Sequence, residues 1–382
     1  MKRRALGDRF TWLALLIIVV LVGISLVSQR NADWYSGNSF YDLQMVWYLI
    51  GGVIFALSIF VDLRIVERTA YVFWGACVVG LVLTLLVGTE VNNAQRWLRF
   101  GPVNLQLSEL AKVGVVVALA RFFHSAKERI PGGEAAKEGT YRLRELLKPA
   151  VIFGLPAGLI LFQPDLGTAL LVVLVASTMM LYEGIDRRSL AALGLVALVV
   201  VPVAWEFGGI REYQKDRVRL WVNPDWMKLD AESAKVQTGQ NLQSEQAVWA
   251  IGSGEFWGHG SRSGAQSRLK HLPEMHTDMI IATFAEEHGF AGCTVLLLLF
   301  WVVVLWGMRT AHDARDRFCA LVAVGIVSMI AWQVFVNIGM VAGLLPIVGL
   351  PLPLLSYGGS SALTMMLGLG LVVNVAFRRG RL

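Results

Sequence analysis

Apolar residues in this chain come in long uninterrupted runs separated by short charged stretches. They do not show the alternation of half-buried strands or the single apolar stripe of a soluble helix. Crossing a bilayer takes roughly 20 mostly apolar residues in a helix. Clear runs of that kind lie at 11–27, 45–61, 70–88, 166–182, 189–205 and 289–308. Two weaker runs are 105–123, which carries Glu109 and Lys112, and 149–162, which carries Pro149 and Pro156. An uncharged run from Phe318 to Phe377 is too long for one crossing. It divides at its Gly- and Pro-rich middle, Gly343 to Gly359, into 318–340 and 361–377. The pattern predicts an all-α polytopic membrane protein of about ten transmembrane helices. The whole chain reads as one membrane domain.

Basic residues orient these helices. With the N-terminus inside, the inside segments hold Lys2, Arg3, Arg4 and Arg9, then Arg64 and Arg68, then Arg187 and Arg188. The same side holds Arg309, Arg315 and Arg317, and Arg378, Arg379 and Arg381. The charged segment 124–148, rich in Lys and Arg, falls there too as a cytoplasmic loop. The short outside loops hold only Arg30, Arg96 and Arg99. This bias predicts a multi-pass protein of the cytoplasmic (inner) membrane with both termini in the cytoplasm. It makes 206–277 a long extracytoplasmic loop between the seventh and eighth helices, followed by a surface or entry helix at 278–288. The basic start followed by an apolar run resembles a signal peptide, but no small-residue cleavage site closes it, so it reads as an uncleaved first helix.

Composition agrees. Hydrophobic residues make up 55% of the 382 positions and charged residues only 16%, against about 25% charged in soluble domains. The net charge of +6 suits an anionic membrane surface rather than nucleic acid. Cys77, Cys293 and Cys319 all lie in apolar runs, so no disulfide framework is visible. Nucleotide-binding motifs are absent, and no cofactor is evident. No metal-ligand spacing stands out either, although a divalent cation is compatible with the chemistry inferred below.

Charges at membrane depth usually face the bundle interior and often mark function. Glu109 and Lys112 sit three apart on one helical face, as a structural ion pair or as the lining of a polar cavity. Arg96, beside Trp97, is either an interfacial anchor or a phosphate ligand. Asp165 follows Pro164 and reads as a helix cap that can also border a site. Asp278 lies in the first turn of a helix after Pro273, with Glu286 and Glu287 two turns deeper. A half-shielded carboxylate there is placed to take a proton from a hydroxyl group. The Gly-rich stretch from Ala250 to Gly260 reads as a flexible surface loop or as a backbone cradle for an anion.

Several stretches together resemble the SEDS family of polytopic membrane proteins (shape, elongation, division and sporulation). They are Gln95-Arg96-Trp97, Ser108-Glu109-x-x-Lys112, Gln163 to Ala169, Leu272 to Gly289, Asn337 to Met340, Leu345 to Pro353 and Ser356 to Ser361. They run in family order over most of the chain. The stretches from Asn337 and Pro346 are more similar to elongation-type than to division-type members. Leu107 and Asn93 stand where the family usually has Pro and Gly.

The resemblance implies a peptidoglycan glycosyltransferase that polymerises lipid II into β-1,4-linked glycan strands during cell elongation. The transfer would invert configuration and release undecaprenyl pyrophosphate at the outer face of the membrane. Implied partners are lipid II, the lipid-linked glycan strand, a class B penicillin-binding protein and other elongation-complex membrane proteins. Carried over by motif, Asp278 becomes the catalytic aspartate. Arg96, Glu109, Lys112, Asp165, Arg217, Arg219 and Glu286 become substrate-binding candidates. Two other readings fit the same polytopic pattern: a flippase or transporter of the lipid-linked precursor, and a non-catalytic scaffold for the crosslinking enzyme.

Overall fold

The structure, a computed structural model, describes residues 9–91, 94–101, 103–128, 145–184, 245–269 and 275–378, with isolated positions between 185 and 244. Most of the predicted helix 189–205, most of the 124–148 and 206–277 loops, and Arg217 lie outside the described residues.

Nine long helices carry the described part: α1 (Arg9–Ser36), α2 (Phe40–Phe60), α3 (Leu63–Val87), α4 (Leu107–Glu128), α5 (Leu147–Phe162), α6 (Leu166–Glu183), α7 (Ile280–His312), α8 (Arg317–Val341) and α9 (Gly359–Arg378). Among the described residues, 7 helices are long and apolar enough to cross a membrane: α1, α2, α3, α6, α7, α8 and α9. Helix α5 is apolar but shorter. Large apolar side chains such as Leu49, Val53 and Leu57 on α2 and Val72, Val79 and Leu86 on α3 face outward. That surface suits lipid rather than water. The three cysteines are free.

Helix ends follow local chemistry. Gly37, at φ 78, ends α1, and its N–H donates to the Asp33 carbonyl at 2.8 Å. Glycine adopts that left-handed backbone without a Cβ clash. The Asp33 carboxylate accepts from the backbone N–H groups of Phe40 and Tyr41, which fastens the start of α2 to the end of α1. Asp62, Asp165 and Asp316 cap α3, α6 and α8 by accepting early backbone N–H groups. The Arg64 N–H holds the Asp62 carboxyl below its usual range.

Helix α4 is the hub of the bundle. It packs against α3, α5, α6, α8 and α9, and every residue from Ala111 to Ala120 is buried. Protein, not lipid, surrounds it, so its charges are tolerated where a lipid-facing helix would exclude them.

The fold is all-α and multi-pass, with one small addition: Thr89–Val91, Ala94–Phe100 and Val103–Leu105 form a three-stranded antiparallel sheet, β1-β2-β3. These strands are too short for the apolar alternation to register, and Gly101 at φ 61 turns the chain between β2 and β3. The residues read as an entry helix, 278–288, lead into the first arm of α7, which breaks at Gly289 (φ 64, ψ −167) before the longer arm that follows.

Candidate active site

The ends of the helices converge around the short segment Met275–Met279. Its backbone carbonyls are gripped from three directions. His276 O accepts from Gln29 Nε2 of α1 at 3.0 Å and from the Tyr357 N–H at 2.7 Å. Thr277 O accepts from Ser356 Oγ at 2.7 Å. Asp278 O accepts from Asn337 Nδ2 of α8 at 3.1 Å, and the same amide donates to Leu350 O at 2.7 Å. Asp278 is half-buried, and a Cβ built on Gly349 would stand 3.4 Å from its Oδ2. Gly349, at φ 73, is therefore both the turn residue and the wall beside the carboxylate. His276 packs its ring on Phe40 and approaches Ser36 and Asp33. Burial pushes the Tyr357 phenol up, so it stays a neutral group at ordinary pH.

The Leu345–Pro353 loop reaches from Asp278 to the start of α6. A Cβ on Gly167 would lie 2.5 Å from Val348 O, so only glycine lets the two backbones approach this closely. Next to it, Asp165 is buried and fully engaged. Its Oδ1 accepts from the Thr168 N–H at 3.2 Å, and its Oδ2 from Gln106 Nε2 at 3.0 Å and from Ser108 Oγ at 3.5 Å. Arg96, on β2, donates to the carbonyls of Gln163 and Pro164 at the end of α5. A cation there also complements the helix dipole.

Glu109 and Lys112 lie one turn into α4, both buried, with Lys112 Nζ donating to Glu109 Oε1 at 2.8 Å. Ser360 Oγ of α9 accepts from the Gln106 N–H at 2.9 Å, which ties the entrance of α4 to α9. Arg219 is half-buried and helical.

Glu286 is engaged within the protein. Its carboxylate is buried and accepts from the Gln266 N–H at 2.7 Å, the Ser267 N–H at 3.1 Å and Ser267 Oγ at 2.6 Å. Glu287 accepts likewise from the Arg262 N–H at 2.7 Å, Asn31 Nδ2 at 2.8 Å and Tyr35 Oη at 2.9 Å. Their lone pairs are spent on holding the 260–267 segment to α1 and α7. Asp165 is committed in the same way, as a cap. The Gly-rich stretch is likewise no flexible loop. The N–H groups of His259 and Gly260 donate to the carbonyls of Glu286 and Glu287, and those of Phe290 and Ala291 donate to Glu255 and Phe256. The stretch thus supplies the hydrogen bonds that the kink at Gly289 takes from α7. The anion that the following residues do cradle is the protein's own pair of carboxylates.

Sequence reasoning gave Asn337 and Ser356 only a place in motifs, and Gln29 no place at all. An amide or hydroxyl amid an apolar run was the available signal, since a buried polar group needs a partner. At the other end of the bundle, Glu67 of α3, His124 of α4 and Asp316 before α8 bring ligand atoms within 4.8 Å of one another. This half-buried group could coordinate a divalent cation. Arg121 also bonds Glu67, at 3.0 Å.

A family model described as "Cell cycle protein" and labelled FtsW/RodA/SpoVE matches residues 7–380. The chain belongs to this family. Among curated relatives, it is 34% identical over 368 residues to the peptidoglycan glycosyltransferase MrdB of Escherichia coli (strain K12), covering 95% of this chain and 93% of that one. It is 31% identical over 362 residues to the probable peptidoglycan glycosyltransferase FtsW of Trichlorobacter lovleyi, covering 94% and 89%. Among solved structures, a chain described under "Structural coordination of polymerization and crosslinking by a peptidoglycan synthase complex" matches with TM-score 0.78 and 29% identity, covering 98% of this chain and 99% of that one. The rod shape determining protein RodA of Thermus thermophilus matches with TM-score 0.69 and 26% identity, covering 99% of each chain. In this SEDS-family chain, the stretches that carried the resemblance meet at one end of the bundle.

Proposed function

We propose that this chain is a peptidoglycan glycosyltransferase that polymerises lipid II. The observation that carries the reading is the Asp278 turn, a half-buried carboxylate whose backbone is held by α1, α8 and the 352–358 segment together. A group pinned this firmly suits proton transfer, which depends on position before pKa.

In this mechanism the acceptor's sugar 4-hydroxyl gives its proton to Asp278 as its oxygen attacks the anomeric carbon of the growing strand. The bond to undecaprenyl pyrophosphate breaks on the opposite face, and the new β-1,4 link is inverted relative to the α-phosphate. Pyrophosphate is a competent leaving group, so no second carboxylate acid is required. Arg217 and Arg219 of the long loop, together with Lys112, are proposed to hold its charge. Arg96 braces the wall of the site through α5. A cavity of about 740 Å³ between α1 and α7, lined by Ile24, Val27, Phe284, Val295 and Leu296, offers apolar surface for a lipid tail.

The basic-residue bias supports cytoplasmic termini and an extracytoplasmic site, within about ten spans. The likeness to a chain of a peptidoglycan synthase complex supports assembly with a crosslinking partner, which we take to be a class B penicillin-binding protein. A cation on Glu67, His124 and Asp316 would sit at the end of the bundle away from Asp278, where it would brace helices rather than meet the reacting sugars.

The deciding experiment is glycan-strand synthesis from lipid II by the purified chain in detergent, with and without its partner. Detergent leaves no two sides between which to move lipid. Polymer formation therefore separates the enzyme from a flippase, and its loss in Asp278→Asn separates the enzyme from a scaffold. Wild-type chain that makes no polymer with its partner present would overturn the proposal.

A further inference from the structure

Among the buried side-chain polar atoms without a hydrogen-bond partner in the described residues are Glu109 Oε2 on α4, Nε2 and Oε1 of Gln333 on α8, and Thr364 Oγ1 on α9. Gln333 and Thr364 are fully buried.

Contacts elsewhere set the register of the three helices. A Cβ on Gly325 would meet Val116 at 2.4 Å, so α8 and α4 touch at those positions. They run antiparallel, because His124 near the end of α4 meets Asp316 at the start of α8. Gln333 lies about two turns beyond Gly325, and Glu109 about two turns before Val116, which brings them level. Glu109, Lys112 and Val116 share a face by helical spacing, as do Gly325, Met329 and Gln333. Helix α9 joins them. A Cβ on Gly368 would meet Ile326 at 3.0 Å, and Ser360 Oγ is bonded to the Gln106 N–H at 2.9 Å. Thr364 lies one turn from each of these α9 residues, at the level of the Glu109–Lys112 pair.

We propose that Gln333 and Thr364 complete a buried polar layer around Glu109 and Lys112, with Gln333 a positioning residue for the pair. A buried water joins its amide to Glu109 Oε2, the carboxylate oxygen that Lys112 does not use, and Thr364 closes the layer from α9. With Oε2 fixed, Glu109 holds the Lys112 ammonium in one orientation. Asn337 stands one turn beyond Gln333 and bonds the Asp278 carbonyl, so α8 carries a polar column from this layer to the Asp278 turn. The catalytic part of the inference rests on the polymerase reading above; the layer itself does not.

The test is a double-mutant cycle on the purified full-length chain, with Glu109→Gln and Gln333→Leu read both by thermal melting and by lipid II polymerisation. The two Tm shifts are expected to be non-additive, because each variant breaks the same interaction. Gln333→Leu is expected to lower kcat about tenfold with KM near wild type, and to add little in the Glu109→Gln background. Thr364→Val should weaken kcat in the same way and Thr364→Ser restore it, which keeps the test open if Gln333→Leu fails to fold. Additive Tm shifts would overturn the layer, whatever the activity. Coupled shifts with wild-type kcat in Gln333→Leu would overturn the positioning role. A wild-type chain that polymerises nothing sinks the enzymatic reading alone, since the melting cycle still reports on the layer.

Discussion

Asn337 holds Asp278 by its backbone, with one amide nitrogen donating at 3.1 Å to the Asp278 carbonyl and at 2.7 Å to that of Leu350. The side chain of a buried asparagine in α8 thus sets where the carboxylate at the start of α7 stands, and sets it relative to the loop that forms its wall. Replacing Asn337 with Leu removes the donor that it supplies to both carbonyls. The expected cost is about 1–3 kcal/mol of stability, together with a loss of polymerisation larger than the unfolded fraction explains. Chemical denaturation and a lipid II assay on the same preparation would check both.

Asp278→Asn keeps the size and the backbone bonds of the turn but removes the base. Polymerisation should fall to background while the melting temperature and partner binding stay near wild type. Normal polymerisation by this variant on purified lipid II would remove Asp278 from the role of base.

Gly167→Ala places a methyl group 2.5 Å from the Val348 carbonyl oxygen, which belongs to backbone and cannot rotate away. Overpacking of this kind costs about 1–3 kcal/mol. The Leu345–Pro353 loop should shift from the start of α6, so the melting temperature and the polymerisation rate should fall together. An alanine variant indistinguishable from wild type in both would mean that the contact is slack.

Glu286→Gln should behave as a stability variant rather than a binding variant. Its carboxylate accepts three hydrogen bonds within the protein, and a neutral amide cannot accept all of them on both atoms. The expected loss is about 2 kcal/mol, seen in a melt. Folded protein should retain an unchanged KM for lipid II, and a raised KM without loss of stability would return Glu286 to the substrate site.

Long apolar runs determined the class of this protein without any structure, because lipid selects for composition and length before it selects for contacts. The ordered motifs, from Gln95-Arg96-Trp97 to the Ser356–Ser361 stretch, determined its family. What a polar residue does was decided by tertiary structure. Asp165 and Asp278 are carboxylates beside helix starts and Glu286 lies two turns deeper, and residue type and spacing alone make each of them a site candidate. Packing shows how each is held: Gln106, Ser108 and the Thr168 N–H bond Asp165, residues 266–267 bond Glu286, and Asp278 is half-buried with its carbonyl bonded by Asn337. The short sheet over 89–105 and the kink at Gly289 also depended on partners far away in the chain. Local pattern records which residues dislike water. Only the assembled bundle records which polar atoms have already found a partner.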